Sequence, residues 1–429
     1  MASTEESKAS PPVEEVARRV ERFKRSGNSS ELWPGLAEQA RVVAAREIER
    51  VARAVLNGET NVVIDPRDEH DPYALRVAGH TTGVGPLVAR WIEEGKVAGD
   101  ASVRRSFLEQ LRHGRLRAER LEREVLPALD ALSSRGITPL MLKGFHTSRI
   151  YFEEPGLRRM EDVDVWVAPD RVEAAEAALT SAGYRPDSAA SRPYRRDWIR
   201  TDVDPRAWSL EVPHERSRWI LELHASLNRT FQPGAFANFD GERECVAPLV
   251  VAGRPVLVLA QPLLLLTLAC HCSQELDTSR LLRLVEIVNV IRADLANGSL
   301  DWDTVLSMMR RTRSARFAYP AFALVEELAP GTVDPTVLAF IERDSTWAAR
   351  HTVSRLVPAG GSLDNRGVIR QFMWTRGPIS VATRILRLAW PAGFTRPTDL
   401  LPGWRARLRR VLSGRLILRA PDERRPPDS

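Results

Sequence analysis

The sequence predicts an α+β protein, with a small mixed β-sheet core flanked by N- and C-terminal helical regions. Three observations carry that prediction. Apolar residues recur at helical spacing over long stretches on both sides of the centre. From Gly136 to about residue 228 the pattern changes to short apolar runs and strict alternation, the signature of strands. No internal repeat is present, so a repeat architecture is not indicated.

In chain order, residues 1–30 are charged and read as a disordered leader. Leu36 to Leu56 has helical periodicity and Gly58 supplies a stop, whereas 59–83 is turn-rich. Helix resumes over 83–97. A long charged helix then runs over 103–134, with Phe107, Leu111, Leu116, Leu121, Val125, Leu126, Leu129 and Leu132 on one broad stripe. These elements make an N-terminal helical region, 31–135.

The core spans 136–250. ITPLMLKG, 137–144, reads as a strand ending in Lys-Gly, 145–152 as a helical turn or two, and Pro155-Gly156 as the centre of a loop. DVDVWVA, 162–168, is a strand, followed by a helix over 170–184 with Asp170 placed to cap it and Gly183 to end it. The polar chain between Pro186 and Pro205 gives no assignment. WSLEV, 208–212, and RWILELHASL, 218–227, read as two strands joined by a Pro-containing turn. A C-terminal helical region covers 251–418. It opens with a short strand and a buried helix starting at Pro262, continues with helices at 279–296, 301–313 and 316–328, and ends with one or two amphipathic helices within 380–418. Residues 419–429 form a tail of disordered composition.

Composition narrows the setting. The chain has 429 residues, 43% of them apolar, enough for substantial cores. Its three cysteines, Cys245, Cys270 and Cys272, cannot make a disulfide framework, and Cys270-His271-Cys272 is too tight for standard zinc spacing. The first 25 residues lack the apolar segment of a signal peptide. The longest apolar stretch, 255–270, is interrupted by Gln261 and Pro262 and is shorter than the roughly 20 residues that span a bilayer. The expectation is a cytoplasmic protein with no membrane contact. The net charge of +6 hints at nucleic acid, yet only four of the 62 basic residues are lysine and the arginines are scattered beside glutamates on amphipathic helices. That pattern is read as solvated helix faces, so a small molecule is favoured as a partner over nucleic acid.

The chemistry concentrates around Asp162-Val163-Asp164. On a strand the two aspartates share one face, and near-neighbour carboxylates repel unless a cation lies between them. Hard oxygen ligands with no histidine partner favour Mg²⁺ or Mn²⁺ over zinc. Lys143 is the only lysine after Lys96. It lies beside Gly144 at a strand–helix junction, where backbone N–H groups and a missing Cβ suit an approaching phosphate. A third carboxylate is wanted for two metals. Glu222 fits, on a strand whose Trp219, Leu221 and Leu223 face the core, and Glu211 competes from its own alternating strand.

Taken together, LKG (142–144), Tyr151, GLRRMEDVDVWV with a following helix ending AGY, and LELH (221–224) resemble the uncharacterised nucleotidyltransferase family of the polymerase-β-type superfamily. The resemblance covers about 137–228. Weaker agreement extends to GVGPLVARW before it and to the helix with His271, Asp301-Trp302 and Trp390-Pro391 after it. It implies a nucleotidyltransferase core in which Asp162 and Asp164 bind two Mg²⁺ (or Mn²⁺) ions and Glu222 fills the third carboxylate position. It further implies that Lys143 and Gly144 replace the Gly-Ser phosphate loop of other members, and that Arg158 contacts nucleotide phosphates or locks the strand. His224 is then a structural or substrate-side residue. Where the family pattern has proline, a small residue, aspartate and aspartate, this chain has Arg159, Glu161, Glu222 and Glu286.

The reaction implied is transfer of a nucleoside monophosphate from an NTP, ATP above others, to a hydroxyl-type acceptor, such as a small molecule of a biosynthetic pathway. The alternatives are a non-catalytic scaffold or regulatory protein that keeps the fold, and a toxin-like nucleotidyltransferase acting on tRNA or protein. His146 is read as a capping or surface residue, His271 as core, the tryptophans as packing, and 404–419 as a solvated helix face.

Overall fold

Glutamate and arginine spaced three and four apart on an amphipathic segment give the first helix, α1 (Val13–Ser26). Glu15 pairs with Arg18 and Arg19, each at 3.1 Å, while Val20 and Phe23 pack against the core. Charges that read as a disordered leader are thus paired along one face. The computed structural model describes residues 13–26, 31–64, 72–187, 195–202, 219–232, 234–276, 280–358 and 368–389.

The N-terminal helices follow the apolar periodicity. They are α2 (Glu38–Leu56), α3 (Pro72–Thr82), α4 (Gly85–Glu93) and α5 (Ala101–Ser134), with a two-stranded parallel pair, β1 (Val62–Val63) and β2 (Val97–Ala98), between them. Helix α3 occupies part of the stretch that carried only turn signals. Asp100 caps α5 by accepting from Val103 N at 2.8 Å. Along α5 the first half buries Val103, Phe107 and Leu111 in one hydrophobic cluster, and the second half buries Leu121, Val125, Leu129 and Leu132 in another.

The central strands and helices are β3 (Leu140–Met141), α6 (Thr147–Ile150), β4 (Asp162–Trp166), α7 (Val172–Ser181), β5 (Tyr184–Pro186), β6 (Arg195–Arg200), β7 (Ile220–His224), β8 (Arg229–Gln232), β9 (Ala235–Ala237), β10 (Val246–Val251) and β11 (Arg254–Leu259). Seven of these strands form one mixed sheet in the order β10-β11-β3-β4-β7-β6-β5, and β8 pairs with β9 apart from it. Strand β3 is far shorter than the run 137–144. The 208–212 strand expected to precede β7 lies outside the described residues. Asp170 does not cap α7: it sits in a short 3₁₀ turn, Pro169–Arg171, and α7 begins with no side-chain cap. Gly183 does end that helix, at φ +83°. The hairpin of β10 and β11 turns at Ala252-Gly253, immediately after the 250/251 boundary drawn from the sequence.

The C-terminal helices are α8 (Leu263–Gln274), α9 (Arg280–Ala296), α10 (Trp302–Thr312), α11 (Ala315–Leu328), α12 (Pro335–Asp344), α13 (Trp347–Val353) and α14 (Pro378–Ala389). Helix α8 buries residues all round, as an unbroken apolar run demands. The sheet lies between two cores. Val163, Val165, Leu221 and Leu223 face α5 and α7, while Leu140, Leu142 and Leu257 belong to the cluster that includes α8 and α9. No helix among the described residues is long and apolar enough to cross a membrane.

Candidate active site

Strand β4 is built as Asp-Val-Asp-Val-Trp. Burying Val163 and Val165 against α5 and α7 forces Asp162 and Asp164 to the opposite face of the sheet. On β7 the burial of Leu221 and Leu223 does the same for Glu222 and His224. The two strands are parallel, with Asp164 opposite Glu222 and Trp166 opposite His224. Two strands separated by more than fifty residues therefore present one polar face.

The distances on that face are short. His224 Nε2 lies 3.1 Å from Asp164 Oδ1 and 3.3 Å from Glu222 Oε2. One donor atom from each of Asp164, Glu222 and His224 falls within 4.8 Å of the others. Lys143, at the end of β3, places Nζ 2.8 Å from Asp164 Oδ2 and 3.4 Å from Asp162 Oδ2. Arg195 on β6 sets Nη1 2.8 Å from Glu222 Oε1 and is itself paired with Asp197 at 3.0 Å. Asp164 is buried, whereas the Asp162 side chain is 35% exposed and opens on a cleft.

Burial opposes the Asp164 charge, yet Lys143 and the His224 contact outweigh it and hold the carboxyl well below the ordinary range. Glu222 moves the other way, because burial and the neighbouring Asp164 charge raise its proton affinity. Burial likewise opposes the Lys143 charge, but Asp162, Asp164 and Glu222 together keep its pKa above the ordinary lysine value.

This donor set fits a divalent cation. Asp164 Oδ2 is buried and meets Lys143 Nζ at 2.8 Å, so it already stands against positive charge. An oxygen so placed suits a cation. The expectation of ligands without histidine needs correction, since His224 supplies an imidazole nitrogen within the cluster. Glu222 stands where the sequence placed it, and its competitor Glu211 lies outside the described residues.

Gly144 and Arg158 lie against each other. Gly144 has φ +61°, and a Cβ built on it would sit 3.0 Å from Arg158 Nη1. Arg158 is buried and bidentate on Glu286 of α9, at 2.7 and 2.9 Å, and Thr147 also donates to Glu286. The pair ties the chain that enters β4 to α9. Glu161 is exposed and paired with Arg159, which offsets its charge beside the aspartates.

A cleft of about 310 Å³ opens over the polar face. Lys143, Asp162, Arg195, Glu222 and His224 form its floor. Arg229 and Phe231 of β8, His271 and Gln274 of α8, and Trp374 form its other walls. A smaller cavity of about 90 Å³, sharing Lys143, Asp162 and His271, continues it toward Arg159 and Arg283. His271, read as core, is indeed buried but lines the cleft. Burial and the nearby Lys143, Arg283 and Arg229 hold it neutral. His146 sits at the N-cap position of α6 without a side-chain cap bond; it is fully buried, and neither ring nitrogen has a hydrogen-bond partner among the described residues. Arg195, Arg229, Phe231 and Trp374 carried no signal in the sequence, because they come from unassigned or distant segments.

The order of strands and the carboxylates they carry agree with a match to the family model described as uncharacterised nucleotidyltransferase, over residues 68–330 of 429. The chain belongs to the uncharacterised nucleotidyltransferase family. It is therefore a nucleotidyltransferase enzyme, and both β4 and β7 with their acidic face lie inside the matched stretch. No curated protein and no solved structure matches this nucleotidyltransferase.

Proposed function

We propose that the enzyme transfers a nucleoside monophosphate from a nucleoside triphosphate, ATP in our reading, to a hydroxyl on a small-molecule acceptor of a biosynthetic pathway. The acceptor oxygen forms a bond to the α-phosphorus, the bond to the β-phosphate oxygen breaks, and pyrophosphate leaves. The observation that carries this reading is the presence of Asp162, Asp164 and Glu222 on one sheet face, with Asp162 and Glu222 at the floor of a cleft of about 310 Å³ and Asp164 buried beneath it.

Asp164 and Glu222, clustered with His224, would hold a divalent ion, and Asp162, which shares Lys143 Nζ with Asp164, would complete the carboxylates for two Mg²⁺ or Mn²⁺. When bound, such ions neutralise phosphate oxygens and polarise the reacting phosphoryl group. Lys143 then releases the carboxylates and turns to the phosphates, which lie within reach of the same cleft. One of these carboxylates, Glu222 in this reading, takes the acceptor proton. Arg195 keeps Glu222 in place. Arg158 and Gly144 act one step away, by fixing the chain that enters β4. The free thiols of Cys245, Cys270 and Cys272 suit the reducing cytoplasm in which we place the enzyme.

The test is nucleotide binding by calorimetry with Mg²⁺, together with pyrophosphate release over a panel of hydroxyl compounds and tRNA. Wild type is compared with the Asp162→Asn/Asp164→Asn double variant. Metal-dependent binding and turnover present in wild type and absent from the variant is the expected result. Equal nucleotide binding by both proteins, or turnover only on tRNA, would sink the reading as stated.

A further inference from the structure

The cleft extends beyond the carboxylates to a pair of aromatic rings. Phe231, on β8, stacks on Phe317 of α11 with ring centroids 4.2 Å apart and planes 11° apart. Phe317 is fully buried, so it fixes Phe231 from behind. Trp374 lies 4.7 Å from Phe231 and 5.6 Å from Phe317, tilted by 56° and 47°. Phe231 and Trp374 are half-buried, and both line the cleft whose floor is Asp162 and Glu222. Rings held from behind and open on one side present a surface to a planar π-system.

The charge that shares the cleft with the rings narrows the ligand. Arg229 stands two residues before Phe231 on the same strand, and both line the cleft. It is half-buried in the cleft wall, and no carboxylate among the described residues pairs with it. A guanidinium left in that state suits an anion. Lys143 and the neutral His271 line the same cleft.

We propose that Trp374 and Phe231 form the platform for the nucleobase of the donor nucleotide, and that Arg229 clamps its phosphates. This rests on the nucleotidyl-transfer reading above and adds to it the base-binding wall. In the donor nucleotide the reacting α-phosphorus is joined directly to the nucleoside, so a base on Phe231 and Trp374 would bring the α-phosphate toward Asp162, with Arg229 and Lys143 in the same cleft for the triphosphate oxygens. Trp374 falls outside residues 68–330, so the platform is completed by a part of the chain beyond the family match.

The experiment measures binding of ATP and of inorganic tripolyphosphate, both with Mg²⁺, to the full chain by calorimetry. Trp374→Ala is expected to weaken ATP about tenfold, the scale of one lost base–aromatic stack, and to leave tripolyphosphate unchanged. Arg229→Gln is expected to weaken both ligands. Trp374→Phe keeps a ring and holds ATP affinity within a few-fold. It also serves a second measurement that needs no truncation: ATP should quench part of the tryptophan fluorescence in wild type and lose that part in Trp374→Phe. If Trp374→Ala weakens ATP and tripolyphosphate alike, or neither, or if quenching is the same in wild type and Trp374→Phe, the platform is overturned while nucleotide binding stands. If wild type binds neither ATP nor any other nucleoside triphosphate, the platform falls together with the nucleotidyl-transfer reading.

Discussion

Arg158 and Glu286 form a buried bidentate pair, Nε to Oε1 at 2.7 Å and Nη2 to Oε2 at 2.9 Å, that joins the chain entering β4 to α9. Both side chains are almost wholly out of water, so each charge depends on the other. Removing one partner by Glu286→Ala is expected to destabilise the fold by about 3–5 kcal/mol, the scale seen when a buried pair is broken from one side. The double variant Arg158→Met/Glu286→Leu should lose less than the sum of the single changes, because no stranded charge remains. Urea unfolding of Arg158→Met, Glu286→Leu and the double variant measures this, and strict additivity would contradict it.

Gly144 has no free choice of replacement. Its φ of +61° is the left-handed region, and an added Cβ would press within 3.0 Å of Arg158 Nη1. The left-handed conformation alone disfavours an L side chain by about 1–2 kcal/mol. Gly144→Ala is therefore expected to lower stability by at least about 1 kcal/mol, read as a drop in Tm. A change indistinguishable from zero would show that neither constraint operates.

Lys143 competes with any cation for Asp162 and Asp164, since its Nζ lies 3.4 and 2.8 Å from them. Lys143→Met should make the metal-free protein less stable by leaving the carboxylates to repel each other. The same variant should show a larger rise in Tm on adding Mg²⁺ or Mn²⁺ than wild type does, and weaker binding of nucleoside triphosphate. Thermal melts with and without metal, followed by a nucleotide titration, check all three signs.

His146 gives a pH dependence. Burial, the dominant cause, pushes its pKa down from 6.5 to about 4, so the folded protein keeps the ring neutral. As pH falls below about 6.5 the unfolded chain takes up the proton first, and stability is lost progressively until about pH 4. The loss is of order 3 kcal/mol at 1.36 kcal/mol per pH unit. His146→Leu leaves no orphaned ring nitrogens and should flatten stability between pH 4 and 6.5 relative to wild type. Parallel slopes in denaturant titrations across that range would rule out His146 as the source.

Much of the site was legible because strand alternation is a strong local signal. Asp162 and Asp164 among valines, and Glu222 and His224 among leucines, could be assigned to faces from sequence alone. What alternation cannot supply is distance, and the closeness of His224 to Asp164 depends on the parallel register of β4 and β7. The Arg158–Glu286 pair was invisible for the same reason, its partners being 128 residues apart. Strand β10 was missed because Pro248 interrupts its pattern, which is tolerated at the edge of the sheet where β10 lies. Strands β5 and β6 were hidden by their arginines, of which Arg195 turned out to hold Glu222. Helix α1 was misread since its charges are paired along the helix rather than repelling. His146 and His271 show a further limit: neither motif nor spacing distinguishes a buried imidazole from one at a cleft wall.

Helix α5 is 34 residues long, about 50 Å, and its two halves belong to different hydrophobic clusters. A boundary at residue 135 separates the helix from the sheet in sequence, but Leu121, Val125 and Leu129 form part of the sheet's own core. Severing the chain there would strip β4 of the apolar wall that turns its aspartates outward. The helix thus works as a common spine, one continuous element that supplies apolar side chains both to the N-terminal helices and to the wall behind the acidic face.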